Sequence, residues 1–508
     1  MLLSQEALMY ESIRSRVDGT TSNRPCLPWT RLLALLATSI AGASLSVAGQ
    51  TASAETARDT RPNFLVIVTD DQRPDTIGAM GNEAIHTPNL DALARRGVAF
   101  TRAICANPIC TPSRAEILSG CSSFRNGVLD FGRVIDPELV LWPQAMRDGG
   151  YLVWYVGKWH NDGRPIQRGY HETRGLYAGG GGKWAVDQVD WKGTPVTGYR
   201  GWLFQDDDGT LHPEHGVGLT PNISHRFADA AIELIARKPD QPFFLHVNFT
   251  APHDPLLMPP GYEQKYDASS MLLPANFLPR HPFDHGNFDG RDEQLLPWPR
   301  TPQMIRELTA TYYAVISDLD EQIGRIFAAL RETGQDENTV VIFTSDHGLG
   351  VGSHGIRGKQ NMYQHTIGVP LIIAGPGIPE DERRDAQVYL RDLYPTSCEL
   401  AAIAIPETVE AKSFAAVLRG QQQAIHPHVF GYFRDKQRMI RTDRWKLVHY
   451  PHLDRYQLFD LRNDPDEMHD LADDAAHRAT QQELQTKLTD WQHEVGDPLV
   501  QNPSTQGE

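Results

Sequence analysis

Apolar runs of strand length alternate with helical patterns over most of this chain. "NFLVIV" (63–68) is an unbroken, β-branched apolar run, the signature of a strand covered on both faces. "YLVWYV" (151–156), "PFFLHVNF" (242–249), "NTVVIFT" (338–344) and "VPLIIAG" (369–375) predict further strands of the same kind. "TPNLDALARRG" (87–97) predicts a helix with Thr87 as cap, Pro88 at the first position and Gly97 as the stop. Thr220-Pro221 and Thr301-Pro302 repeat the device and predict long helices to about Arg237 and Arg331. This alternation predicts an α/β fold, a mostly parallel sheet sandwiched by helices. Residues 174–218 and 252–300 read as long loops, rich in Gly, Asp and Trp in the first case and in Pro, His and Asp in the second. From about residue 425 the pattern shortens. "HVFGYF", "RMIRT", "WKLVHY" and "YQLFDL" predict a small antiparallel sheet, and a helix follows near 475–493. The expected organisation is a large domain over 61–420 and a smaller C-terminal α+β subdomain over 421–508.

The first 54 residues break from this pattern. A polar stretch with Arg24 and Arg31 precedes "LLALLATSIAGASLSVAG", and "TASA" (51–54) offers a small-x-small cleavage site before Glu55. A cleaved signal peptide is expected, with Met9 as an alternative start, which makes the mature protein periplasmic or secreted with no membrane span. A formal net charge of -16 argues against nucleic acid as the main partner. Five cysteines in 508 residues are too few for a disulfide framework, although Cys105 and Cys121 offer one pairing.

Polar groups gather just beyond the predicted strands. Asp70 and Asp71 follow the first, Lys158 and His160 the second, His253 the third, and Asp346 and His347 the fourth. Ligands of open α/β sheets bind outside the carboxyl ends of strands, so these groups are expected in one crevice. Asp70, Asp71 and Asp346 crowded together need a cation to stay ionised, and His347 adds a nitrogen. An oxygen-rich set suits Ca²⁺ or Mg²⁺, with Mn²⁺ open through the histidine. In "NPICTPSRAEILSG" (107–120), Thr111 is expected as a cap, Pro112 as the first helical residue and Ser113–Ser119 as the helix. Cys110 then lies at a helix amino end, where free N–H groups favour an anion, and Arg114 lies one turn in. Spacing alone leaves two readings of Cys110 open, a thiolate nucleophile and a buried structural cysteine.

Cys-Thr-Pro-Ser-Arg (110–114), followed by Ala115 and Leu118-Ser119-Gly120, resembles the core motif of the type I sulfatases, whose cysteine is oxidised to formylglycine. "TDDQRPDTIGAMGN", "HTPNLDALARRGVAFTRA", "VGKWH", "APHDP", "SDHG", "HGIRGK" and "YQLFDLRNDPDEMHDLA" are similar to that family's other blocks, in order. The resemblance implies an alkaline-phosphatase-like fold, hydrolysis of a sulfate ester and a catalytic domain over 61–420. It also implies an encounter with a formylglycine-generating or sulfatase-maturing enzyme. By position it implies that Asp70, Asp71, Asp346, His347 and the oxidised Cys110 hold the metal. Arg114, Lys158 and Lys359 then neutralise sulfate oxygens, and His253 with Lys359 protonates the leaving oxygen. Asp346 serves as base for the attacking hydroxyl of the aldehyde hydrate, and His160 for the second. The chain departs from the family at His347, where asparagine is common, and at Gln364 and Gly368, where an acid and an arginine are common. The expected substrate is a sulfated carbohydrate. An aryl sulfate or choline sulfate, a phosphoester or phosphonate ester on the same fold, and a non-catalytic binding role are the alternatives.

Overall fold

The computed structural model describes residues 59–501, so the leader expected over 1–54 lies outside the described residues. The "NFLVIV" run becomes β1 (Asn63–Thr69), buried throughout. Leu65 and Ile67 join the core on one face of the sheet, while Phe64, Val66 and Val68 join the core on the other. Two-sided burial is why the run shows no polar alternation. The other strands of the main sheet are β2 (Gly97–Phe100), β3 (Leu152–Lys158), β4 (Glu172–Gly179), β5 (Trp202–Gln205) and β6 (Leu211–Val217). They continue with β7 (Phe243–Asn248), β8 (Thr339–Ser345), β9 (Leu371–Ala374) and β10 (Glu382–Arg384). Their spatial order is β10-β2-β9-β8-β1-β7-β3-β4-β5-β6. Only β5 and β9 run against the rest, so the centre of the sheet is parallel, as expected.

Helices α1 (Pro88–Arg95), α3 (Ile223–Ile235) and α4 (Pro302–Glu332) cover one face through Leu90, Phe227, Leu234, Ile316 and Ile323. Helix α2 (Cys110–Ser119) covers the other with Ala115, Ile117 and Leu118, beside Trp142 and Tyr394. The C-terminal sheet is antiparallel throughout, with strands β11 (Val429–Phe433), β12 (Gln437–Arg441), β13 (Trp445–Tyr450) and β14 (Arg455–Asp460). Helix α5 (Arg478–Glu494) packs Leu484 and Leu488 on its Ile440, Leu447 and Leu458.

Several expectations need correction. The 174–218 stretch is not all loop: it holds most of β4 and all of β5 and β6, which extend the main sheet. Gly97 does not stop α1 but opens β2, and the Thr87 hydroxyl donates to Asp91 instead of capping. The helix after Pro221 begins only at Ile223. Thr301 does cap α4, accepting from Met304 N at 3.3 Å. Cys105 and Cys121 are free thiols. No described helix is long and apolar enough to cross a membrane.

The C-terminal sheet grips the segment that carries Lys359. Gln437 accepts from Met362 N at 3.1 Å and donates to Gln360 O at 3.0 Å. Glu467 accepts from Gln364 N at 2.7 Å, and Tyr363 OH donates to Gln457 at 2.9 Å. At the other side of the site, Gly157 has φ 94° at an irregularity in β3. A Cβ there would lie 2.0 Å from Asn248 O, a backbone atom that cannot step aside. Gly157→Ala is therefore expected to destabilise the protein by roughly 2–4 kcal/mol, read as a lower midpoint in denaturant unfolding.

Candidate active site

The four strands that carry the polar groups are immediate neighbours, in the order β8-β1-β7-β3. Register sets their ends level: Thr69 faces Ser345, Val68 faces Asn248, and Asn248 faces Gly157. Asp70 and Asp71 follow β1, Asp346 and His347 follow β8, Lys158 ends β3, and the turn after β7 leads to His253. Asp71 has φ 68°, a left-handed conformation that Asp tolerates better than most residues, which lets two successive carboxylates meet the same site. All these side chains are buried.

Helix α2 begins at Cys110 itself, after an extended Ile109 with φ -131°. Thr111 is inside the helix and not its cap, because its hydroxyl donates to His160 O at 2.9 Å. Cys110, 2% exposed, has its Sγ 3.4 Å from Asp70 Oδ1, 3.4 Å from His347 Nε2 and 3.3 Å from Lys359 Nζ. Burial pushes the thiol up, but Lys158, Lys359 and His347 outweigh it and hold the group well below its ordinary value. Lys359 Nζ also donates to Asp71 Oδ1 at 2.8 Å, while Lys158 pairs with Asp70.

Asp70, Asp71, Cys110 and His347 each offer a ligand atom within 4.8 Å of the others. Asp71 Oδ2 is buried without a hydrogen-bond partner among the described residues. Asp346 stands beside them, its Oδ1 accepting from His347 N at 2.9 Å and from Asp71 N at 3.2 Å. Burial and the neighbouring Asp70 carboxylate push the Asp346 carboxyl up to about 7. A divalent cation relieves that strain, so this donor set fits one. Arg114 is held by groups at the strand ends. Its Nε donates to Asp346 Oδ2 at 3.0 Å, its Nη1 to Asn248 Oδ1 at 2.5 Å and its Nη2 to Thr69 O at 3.4 Å. A buried guanidinium needs acceptors for its nitrogens, and here the strand ends give each of the three one.

His253 and His160 flank the centre. His253 Nδ1 donates to Asp254 O at 2.7 Å, and its Nε2 lies 3.8 Å from Asp71 Oδ2. His160 is held down to about 4 by burial and by Lys158, so its ring is neutral. Sequence reasoning missed Asn248, which closes an apolar run, and Tyr199, whose hydroxyl donates to Asp70 Oδ2 at 2.5 Å. Nothing in the Gly- and Asp-rich surroundings of Tyr199 distinguishes it from a loop residue.

Residues 62–403 match the sulfatase family model, and residues 352–494 match the model of the N-sulphoglucosamine sulphohydrolase C-terminal region. The chain is 30% identical over 461 residues to the uncharacterized sulfatase YidJ of Escherichia coli (strain K12), covering 86% of this chain and 88% of that one. A protein solved in complex with its substrate D-glucosamine-2-N,6-O-disulfate superposes with a TM-score of 0.70 and 22% identity, over 88% of this chain and 100% of the other. The phosphonate monoester hydrolase of Agrobacterium radiobacter gives 0.69 and 22%, over 86% and 96%. The chain belongs to the sulfatase family, within the alkaline-phosphatase-like superfamily, and is a sulfuric ester hydrolase. Sulfatases use a metal ion and a formylglycine, and the buried Asp, His and Cys cluster is compatible with both.

If the cluster holds a cation, chelator-treated protein will be stabilised by Ca²⁺, Mg²⁺ or Mn²⁺. A hundredfold excess over Kd is expected to add about 2.7 kcal/mol, and Asp70→Asn to remove most of that gain in thermal unfolding. The absence of any shift with all three ions would show that these residues hold none.

Proposed function

We propose that this chain is an exported, metal-dependent sulfatase acting on the sulfate ester of a carbohydrate, with Cys110 converted to formylglycine. The observation that carries the reading is the position of Cys110 Sγ, which lies within 3.4 Å of Asp70, His347 and Lys359 at the first residue of a helix. When bound, a hard cation (Ca²⁺, or Mg²⁺ or Mn²⁺) supplies the charge that acidifies a hydroxyl at position 110. Asp70, Asp71, Asp346, His347 and the modified residue 110 are the groups that would hold it. A hydrated formylglycine offers two hydroxyls, one to attack sulfur and one through which sulfate is later expelled.

The remaining residues have separable tasks. Lys158 and Lys359 are the ammonium groups near enough to neutralise the oxygens of the bound anion. Arg114 braces Asp346 against Asn248, which fixes the carboxylate that takes the attacking hydroxyl's proton. His253 has Nδ1 committed to Asp254 O, so Nε2 is the nitrogen that gives a proton to the leaving oxygen. His160, neutral and with Nδ1 unpartnered, accepts the proton of the second hydroxyl. The apolar segment and small-residue site over 32–54 support export, and maturation then requires a formylglycine-generating enzyme. The fold neighbour solved with a glucosamine disulfate supports a carbohydrate substrate.

A second reading, hydrolysis of a phosphonate or phosphate ester, draws on the phosphonate hydrolase neighbour. Rates on matched sulfate, phosphate and phosphonate esters separate the two.

Cys110→Ala is expected to abolish sulfate release, and a mass measurement of the peptide containing residue 110 is expected to show an aldehyde in place of the thiol. Retained activity in that variant would sink the mechanism. His253→Ala is expected to slow a sugar sulfate by about 100- to 10,000-fold. The same change should cost much less with 4-nitrophenyl sulfate, whose leaving group departs without a proton.

A further inference from the structure

Beyond the groups around Cys110, a second set of buried polar atoms has no hydrogen-bond partner among the described residues. Asp254 Oδ2 and Arg357 Nη1 belong to it, and Asp71 Oδ2 lies close by. Asp71, His253 and Asp254 each bring an atom within 4.8 Å of the others, so His253 connects this set to the reaction centre. Native structures pair nearly all their buried polar atoms, and unpaired ones converging on one place mark where a ligand brings its own hydrogen-bonding groups.

The chemistry of the place is specific. Arg291 Nη2 donates to Asp254 Oδ1 at 3.1 Å and also pairs with Asp292, while Arg357 Nη1 lies 3.5 Å from Asp254 Oδ1. Two guanidiniums face two carboxylates, so the patch has no excess charge with which to hold a second anion. Donors and an acceptor stand side by side instead, which suits hydroxyl groups, since a hydroxyl both gives and accepts. The Arg291 side chain is 35% exposed against 2% for Cys110, so this flank leads from the reaction centre towards solvent. Beside His253 stands the Tyr199 ring, its centroid 4.9 Å away, with Trp202 5.0 Å from Tyr199.

We propose that Asp254, Arg291 and Arg357 form the subsite that reads the alcohol left behind when sulfate departs, and that this alcohol carries hydroxyls flanking the sulfated carbon, as a sugar ring does. The inference rests on the proposed function, in which His253 faces the leaving oxygen. Asp254 Oδ2 accepts from one hydroxyl, and the arginine N–H groups donate to its neighbour.

Gly198 supplies an independent handle. A Cβ at this position would lie 2.2 Å from Arg291 Nη1 and 3.4 Å from Asp254 Oδ2, with no backbone atom in its way. Gly198→Ala should therefore fold normally and displace only the tip of Arg291.

The test measures kcat/KM of matured wild type, Arg291→Ala, Asp254→Asn and Gly198→Ala. The substrates are glucosamine 6-sulfate, galactose 6-sulfate and 4-nitrophenyl sulfate. Each substitution is expected to lower the ratio of the best sugar sulfate to 4-nitrophenyl sulfate by about 10- to 100-fold. Parallel losses on both kinds of substrate, or an unchanged ratio, would overturn the subsite. Wild type that cleaves 4-nitrophenyl sulfate but no sugar sulfate would overturn it too, while leaving the sulfatase reading intact. Wild type that cleaves no sulfate ester would overturn the proposed function, and the subsite with it.

Discussion

Three carboxylates buried together are the condition to which the rest of this molecule answers. Like charges about 4 Å apart repel by roughly 4 kcal/mol at an effective dielectric near 20, and Asp70, Asp71 and Asp346 are shut off from bulk solvent. The fold surrounds them with Lys158, Lys359 and Arg114, each delivered by a different element. Taking away one partner would leave an uncompensated buried charge, so these cations are structural as well as functional. The adjacency of β8, β1, β7 and β3 matters for this reason: it puts both signs of charge at one edge of the sheet.

What could be read in the sequence follows from how completely each segment is buried. "NFLVIV" and "NTVVIFT" needed apolar residues on both faces, so their composition declared them. The ends of those strands were legible for the same reason, because Asp70, Asp71 and Asp346 interrupt apolar runs abruptly. β5 and β6 were not legible. β6, "LHPEHGV", is an edge strand with no fully buried residue, and such strands need no hydrophobic signal. Arg114 could be named from its motif, yet its orientation depended on Asn248, an ordinary polar residue that acquires meaning only when β7 lies beside β1. The start of α2 was misjudged by two positions because Thr111 and Pro112 look like a cap and a first turn. Burial of the Thr111 hydroxyl against His160 O decided otherwise.

The C-terminal sheet is more than an appendage to the larger domain. Gln437, Gln457 and Glu467 hold residues 360–364 by main-chain and side-chain hydrogen bonds, and Lys359 sits immediately before them. The match to the C-terminal family region begins at residue 352, well ahead of the boundary near 421 that composition suggested. The loop that carries Lys359 and the sheet satisfy each other's polar groups.

The burial of Cys110 has a consequence for timing. A sulfur closed off beneath a helix start and four charged neighbours cannot be reached by another protein's active site once folding is complete. Any enzyme that alters this thiol must meet it on an extended polypeptide, before the strands from the far end of the chain arrive to shut it in.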